Sequence, residues 1–126
     1  MIGKLAIVLV TLAACSATAE EVSLEKDLMP LFQRSCGTCH APDSGVRGAI
    51  KDGAFFNAKS DILSKVGTFI IAEKPEESGL VKVVDQTRKF GKRQLVMPPP
   101  KSDDPKWSKE EIELFKAWIK AGAKDN

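Results

Sequence analysis

The sequence predicts a single all-α domain, and three observations support this. Helix signals occur in four segments of the 126-residue chain, no segment has convincing strand character, and residues 20–126 have the length of one compact domain. Residues 67–72 are β-prone and predict either a short strand or a loop that lines a site.

The first two helices are predicted from their end signals and apolar residues. Asp27 can cap the first helix, so Pro30 falls in its first turn, where the missing N–H costs nothing. Asn57 can cap a second helix that extends to Val66, and Gly67 would stop it. The expected core-facing residues are Leu28, Leu31 and Phe32 in the first helix, and Ile62, Leu63 and Val66 in the second.

The two later helices have clearer signals. A third helix is predicted over residues 75–84, because a proline stands at its first position. Ser108 and Glu111 form a capping box at the start of the last helix, where Trp107 and Ile112 can pack as a hydrophobic staple. The apolar face of the last helix consists of Ile112, Phe115, Trp118 and Ile119, before Gly122.

Residues 36–40 carry the attachment signature of a c-type haem, Cys36-Gly37-Thr38-Cys39-His40. Two thiols one turn apart add to the vinyl groups of one porphyrin, and the following histidine is the proximal iron ligand. A thioredoxin-like redox pair would need a preceding strand, and a zinc site would need four ligands, but His40 is the only histidine and no cysteine follows Cys39. A disulfide would leave His40 unexplained. We therefore predict one covalent haem c, anchored at Cys36 and Cys39.

The second axial ligand is predicted to be Met97. An electron-transfer haem needs a sixth ligand, and with no second histidine the expected donor is a methionine. Met1 belongs to the leader, and Met29 is expected to pack as an apolar filler just before the haem motif. Met97 lies in residues 95–100, Leu-Val-Met-Pro-Pro-Pro, where the prolines forbid helix and place the thioether on a stiff loop. The alternative is a methionine that only packs.

Five pieces of the chain match one family pattern. They are residues 27–32 (Asp-Leu-Met-Pro-Leu-Phe), the motif from Cys36 to His40, residues 77–81 (Glu-Ser-Gly-Leu-Val), Met97-Pro98-Pro99 and residues 111–123 (Glu-Ile-Glu-Leu-Phe-Lys-Ala-Trp-Ile-Lys-Ala-Gly-Ala). Through these five pieces the chain resembles a class I cytochrome c, most closely the small c-type domains first described from planctomycetes. The resemblance covers nearly all of the predicted mature chain, and the haem and Met-Pro-Pro motifs carry most of its specificity.

The resemblance implies the class I cytochrome c fold, with three to five short helices around one covalently bound haem. It assigns His40 as proximal ligand and Met97 as distal ligand. The first and last helices of this class cross and pack, so we expect Phe32 to contact Phe115 or Trp118. Class members often use Tyr or Trp to bind a haem propionate, and since this chain has no tyrosine, Trp107 is the spare indole.

The segment between the haem motif and the second helix, residues 41–56, reads as a glycine-punctuated loop. We expect it to wrap the proximal side of the haem. A ligand histidine normally donates its other ring N–H to a carbonyl, and the candidates here are Pro42 and Gly45. Residues 55–56, both phenylalanine, either flank the porphyrin or pack in the core.

The N-terminus predicts export. A positive residue, about ten apolar residues and then small residues form a secretory signal that is too short to cross a bilayer. Ala17-Thr18-Ala19 fits a signal-peptidase site, which gives a signal peptide of residues 1–19 and a monohaem domain of residues 20–126. In the alternative, residues 1–14 are a lipoprotein signal and lipidated Cys15 anchors the chain to a membrane. Either way we expect the domain in the periplasm or otherwise outside the cytoplasm.

A basic cluster precedes the methionine loop and consists of Arg88, Lys89, Lys92 and Arg93. It is either a solvated loop face or, because the haem edge of class I cytochromes c opens beside this loop, a site that steers acidic redox partners or binds a propionate. With 19 basic and 17 acidic side chains in the chain, no field for nucleic acid is implied. We expect a monomer.

The leading functional hypothesis is an exported monohaem c-type cytochrome that transfers single electrons between redox partners and is not an enzyme. Once His40 is on iron, no Ser-His-Asp or Cys-His nucleophile can form. Two alternatives stay open. One is a haem-based sensor or peroxidase-like enzyme with an open or displaceable sixth position, and the other is an electron-entry subunit of a separate oxidoreductase.

Overall fold

The computed structural model describes residues 20–87, 89–90 and 93–126. Short helices dominate these residues, which confirms the all-α prediction. The described strands, which were not expected, are one antiparallel pair of two residues each, β1 (Lys89–Phe90) and β2 (Arg93–Gln94). None of the described helices is both long enough and apolar enough to cross a bilayer. The predicted signal peptide, including Cys15, lies outside the described residues.

Helix α1 spans residues 24–37 in three consecutive segments. A π-helical turn, Leu24–Leu28, is followed by α-helix over Met29–Phe32 and a second π-helical turn over Gln33–Gly37. Pro30 therefore lies inside the helix, whereas it was predicted to lie in the first turn. A proline ring crowds the carbonyl four residues before it, and a wider turn at that point relieves this crowding.

The start of α1 differs from the prediction that Asp27 caps it. Ser23 is the cap, because its Oγ accepts a hydrogen bond from the Lys26 N–H at 3.1 Å. Asp27 instead accepts from the Ser23 N–H at 2.8 Å, so the two side chains cap each other's turn reciprocally. Asp27 lies four residues after Ser23, whereas the acidic residue of a capping box lies three residues after the cap. The longer spacing reflects the π-helical first turn.

The middle of the chain contains three short helices joined by turns. Helix α2 (Arg47–Ile50) leads into a 3₁₀ turn (Lys51–Gly53), helix α3 covers Lys59–Leu63, and a second 3₁₀ turn (Pro75–Glu77) precedes helix α4 (Gly79–Val84). Residues 41–56 are thus partly helical and not a plain loop. Residues 67–72 form turns, with one parallel bridge between Val66 and Ile70, and not a strand.

Two details of these middle helices correct the predictions. The second predicted helix begins at Lys59, because the Asp61 carboxylate accepts the Ala58 N–H at 2.8 Å and Asn57 is not the cap. It also ends at Leu63, before the predicted end at Val66. The third is interrupted at Ser78, whose buried hydroxyl donates to the Lys74 carbonyl at 3.0 Å and accepts from the Ile71 N–H at 2.9 Å.

Helix α5 (Lys109–Lys120) is the longest described segment of regular α-helix, and both of its predicted end signals are confirmed. The Glu111 N–H donates to Ser108 Oγ at 3.1 Å, and the Ser108 N–H donates to Glu111 Oε1 at 3.3 Å. At the other end, Gly122 has a φ of +113°, and the Ala123 N–H reaches back to the Trp118 carbonyl at 3.0 Å. This is a Schellman motif, which the left-handed conformation of glycine permits at no steric cost.

The core forms where α1 packs against α5. The Phe32 and Phe115 rings meet edge to face with centroids 5.4 Å apart, which confirms the predicted contact, and Trp107 meets Phe32 at 5.0 Å. Residues buried in this core include Leu24, Leu28, Met29, Phe32, Ile62, Leu80, Val81, Phe115, Trp118 and Ile119. Met29 thus lies in the core, as expected of an apolar filler.

An ion pair between Arg34 and Glu111 also joins α1 to the first turn of α5. Partial burial raises the pKa of Glu111, but the hydrogen bonds that its carboxylate accepts from Arg34 and Ser108 outweigh this effect. The pKa of Glu111 is therefore held below its usual range.

The variant Glu111→Gln tests this ion pair, because glutamine keeps an oxygen for the Ser108 N–H and removes the charge. Since Arg34 is partly exposed, we expect the free energy of unfolding at pH 7 to fall by about 0.5 kcal/mol. The pKa of Glu111 is lower in the folded protein than in the unfolded chain, where it is about 4.3. The ion pair therefore contributes its full stabilisation at pH values above the unfolded-state pKa, and this contribution is lost as the pH falls through the folded-state pKa. Urea denaturation of both proteins at pH 7 and pH 3 measures the difference.

The control is Glu110→Gln, which removes a charge from the same turn of α5. An equal loss of stability in this variant would assign the effect to the helix dipole and not to Arg34.

Candidate functional site

A cavity of about 770 Å³ brings the predicted site residues together. Its wall includes Cys36, Cys39, His40 and Met97. Chain segments far apart in sequence, the end of α1 and the loop before α5, therefore meet at one site. The volume lies in the range of pockets that hold cofactors and small ligands.

The end of α1 positions the two cysteines. Cys36 lies in the last π-helical turn, and the N–H groups of Cys39 and His40 both donate to its carbonyl, at 3.2 and 2.8 Å. The chain therefore continues to coil through the motif, which keeps both sulfur atoms on the cavity wall. Both cysteines are free thiols, so no disulfide joins them.

The two thiols have different surroundings. Burial, and then the nearby Asp104 carboxylate, raises the pKa of Cys36 to about 12. Cys36 is therefore protonated at neutral pH, unlike the thiolate of a thioredoxin-like redox pair. Cys39 is less buried, and its Sγ lies 4.0 Å from Asp104 Oδ2.

The ring of His40 is fixed by a backbone carbonyl, but not by either predicted one. His40 Nδ1 lies 2.7 Å from the Ala54 carbonyl oxygen, so the candidates Pro42 and Gly45 were wrong. A carbonyl oxygen can only accept, and Nδ1 must therefore carry the proton. Nε2 then has a free lone pair, which is the form that ligates a metal.

The partner is Ala54 because residues 41–56 fold back over the motif. After α2 and its 3₁₀ turn the chain returns to His40, where the Phe56 N–H donates to the His40 carbonyl at 2.9 Å. Residues of this segment line the cavity, while the expectation that it wraps the proximal side of a haem stays a prediction.

Phe56 connects the site to the core. Its ring meets the His40 ring edge to face with centroids 5.2 Å apart, and it stacks on Phe32 at 6.3 Å. Phe56 also lines the cavity. Two roles were predicted for it, flanking the site or packing in the core, and its position is compatible with both.

Met97 lies on a loop that is anchored at both sides. Its N–H donates to the Val83 carbonyl at 3.2 Å, which ties the loop to α4, and its neighbours Val96 and Pro98 are buried. Met97 itself is only partly buried and lines the cavity. The loop therefore presents this side chain to the cavity without making it part of the core.

Three charged residues line the cavity wall. Lys51 lies in the segment that was expected to wrap the site, whereas Asp104 and Lys65 were not predicted as site residues. Asp104 is held in place because its carboxylate accepts from the Ser102 hydroxyl at 2.9 Å. Neither residue belongs to a motif, and both are brought to the site by long-range folding, so no local signal could have identified them.

Two other expectations have different outcomes. Trp107 is buried between Phe32 and Phe115, and its indole N–H has no partner in the described part of the chain. Its predicted role toward a propionate stays a prediction.

Of the basic cluster, Arg88 and Lys92 lie outside the described residues, and the structure describes only the backbone of the other two members.

Comparisons with protein-family models, with curated proteins and with solved structures find no match for this chain. The resemblance to class I cytochromes c is therefore carried by the sequence motifs.

The contacts of Phe56 predict its effect on stability. We expect Phe56→Ala to lower the free energy of unfolding by about 2 kcal/mol, less than for a fully buried phenylalanine because the ring is only partly buried. Chemical denaturation measures this value. As a control, Leu114→Ala truncates an exposed apolar side chain of α5 and should cost less than about 0.5 kcal/mol. Similar losses in the two variants would contradict the connecting role of Phe56.

Proposed function

We propose that this protein is an exported monohaem c-type cytochrome that carries single electrons between redox partners. The observation that supports it is the meeting of two free thiols, one imidazole and one thioether on the wall of one cavity. These are the donor types that hold a c-type haem in an electron carrier. When bound, the haem iron supplies the one-electron chemistry.

Cys36 and Cys39 would hold the haem covalently. Their spacing at the end of a helix keeps both sulfur atoms on one wall. Attachment through two thioethers fixes the position of the group relative to the other donors, and it adds apolar material to the small core beside α1.

His40 would be the proximal ligand. Its hydrogen bond to the Ala54 carbonyl selects the tautomer with a free Nε2 and restricts rotation of the ring. Such a hydrogen bond also makes the imidazole a stronger electron-pair donor to a metal. Phe56 supports the same ring by its edge-to-face contact.

Met97 would be the distal ligand. Its loop is fixed to α4 through the Val83 carbonyl, so the thioether stays at the cavity. A methionine ligand favours the reduced state of iron and raises the reduction potential. The carrier is therefore expected to work at a moderately positive potential.

Redox partners are proposed to dock at the mouth of this cavity. The exposed apolar side chains Val46, Phe69 and Leu95 belong to its wall. Leu95 directly follows β2, so the β1–β2 pair, which contains Lys89 and Arg93, continues into this wall. Basic residues in this position would favour an acidic partner and accelerate its association.

The Met97 ligand is tested by the ferric near-infrared spectrum of the holoprotein. We expect wild type to show the sulfur-to-iron charge-transfer band of a methionine-ligated haem. Met97→Ala should lose this band and should lower the reduction potential, because a thioether no longer stabilises the reduced state.

The matched control is Met29→Leu, which changes a core methionine at nearly constant volume and should keep the band. A high-spin ferric spectrum of the wild type would contradict the electron-carrier proposal. That result would favour an open sixth position, as in a sensor or a peroxidase-like enzyme.

A further inference from the structure

Lys65 is a partly buried cation on the wall of the cavity. Its Nζ donates to the carbonyl oxygen of Phe55 at 2.7 Å and to that of Asp61 at 3.0 Å. The same nitrogen lies 4.2 Å from the centroid of the Phe56 ring, which is a cation–π contact. Three contacts thus hold this flexible side chain in one place, which is more than a solvated surface lysine has.

These contacts connect Lys65 with the segment that holds His40. Phe55 and Phe56 directly follow Ala54, whose carbonyl accepts the His40 ring N–H. Phe56 also touches the His40 ring and donates its own N–H to the His40 carbonyl. The ammonium group therefore fastens the segment that orients the proposed proximal ligand.

The charge of Lys65 is only weakly compensated. The contacts described above are with carbonyl oxygens and a ring face, which carry partial charges and no full negative charge. Burial lowers the pKa of Lys65, while the charge of Asp61 raises it. The other charged side chains described on the cavity wall are Asp104, which lies beside Cys39, and Lys51, which is exposed and so screened by solvent.

We propose that Lys65, which its contacts with the Phe55–Phe56 segment hold on the cavity wall, raises the reduction potential of the haem through its positive charge. This inference rests on the proposed function. Reduction adds one electron and takes iron from the ferric to the ferrous state, so the net charge of the site falls by one. A fixed cation nearby favours the state with less positive charge, and it does so more strongly in a partly dry site than in water.

The experiment is a spectroelectrochemical titration of the holoprotein and of Lys65→Met, which replaces the side chain by an unbranched one that is a single atom shorter and removes the charge. We expect the equilibrium constant for reduction to fall roughly three- to tenfold in the variant. A tenfold change corresponds to about 59 mV for one electron. Lys65→Arg keeps the cation and should restore most of the potential. Lys120→Met removes an exposed cation from α5, outside the cavity wall, and should change the potential much less.

Two further arms keep the inference falsifiable. If Lys65→Met does not fold with haem, Lys65→Gln gives the same test with an amide that can still donate to the Phe55 carbonyl. Asp104→Asn removes the negative charge of the wall and should shift the potential in the opposite direction. An unchanged potential in the neutral Lys65 variants, or an equal fall in Lys120→Met, would overturn the inference.

The failure of this inference differs from the failure of the proposed function. If the wild-type protein shows no haem in its pyridine haemochrome spectrum, the proposed function fails. If haem is present, and the near-infrared band is the same in wild type and in Lys65→Met while the potentials agree, only the role of Lys65 fails.

Discussion

The structure depends on the packing of Phe32 against the last helix. Phe32 is fully buried and meets Phe115 and Trp107 edge to face, so it fixes α1 on α5. On its other side it stacks on Phe56, which supports the ring of His40. Because α1 runs directly into the cysteine motif, the position of this one side chain determines where both thiols and the imidazole lie.

The donor side chains of the site are held by fixed backbone groups, which suits the proposed electron carrier. The Ala54 carbonyl orients His40, and the Val83 carbonyl anchors the loop of Met97. A donor set that is held in place in this way would need little rearrangement when the charge of the site changes by one electron. Preorganised groups of this kind cost no reorganisation at the moment of reaction.

Local signals predicted the parts of the chain whose structure is decided locally. Helix α5 has its capping box and its glycine stop where they were expected, because both involve residues within one turn of each other. The prediction for the start of α1 was wrong because Ser23 and Asp27 are both good caps, and only the π-helical first turn shows which of them takes that role. The cysteine motif itself was evident from its spacing.

The residues that surround the motif could not be predicted, because they arrive through the long-range fold. Ala54 was missed as the partner of His40, since any carbonyl of residues 41–56 could serve until the path of the chain was known. Lys65 and Asp104 likewise belong to no motif. Their role depends on the cavity and not on the sequence around them.

The proposed function requires that Cys36 and Cys39 carry a covalently attached haem. The most direct measurement is the intact mass of the protein under denaturing conditions, after expression in a host that attaches c-type haem. Since thioether formation is an addition, we expect the mass of the processed polypeptide plus one whole haem, with neither of these thiols open to alkylation. A mass equal to that of the polypeptide alone, with both thiols open to alkylation, would contradict it.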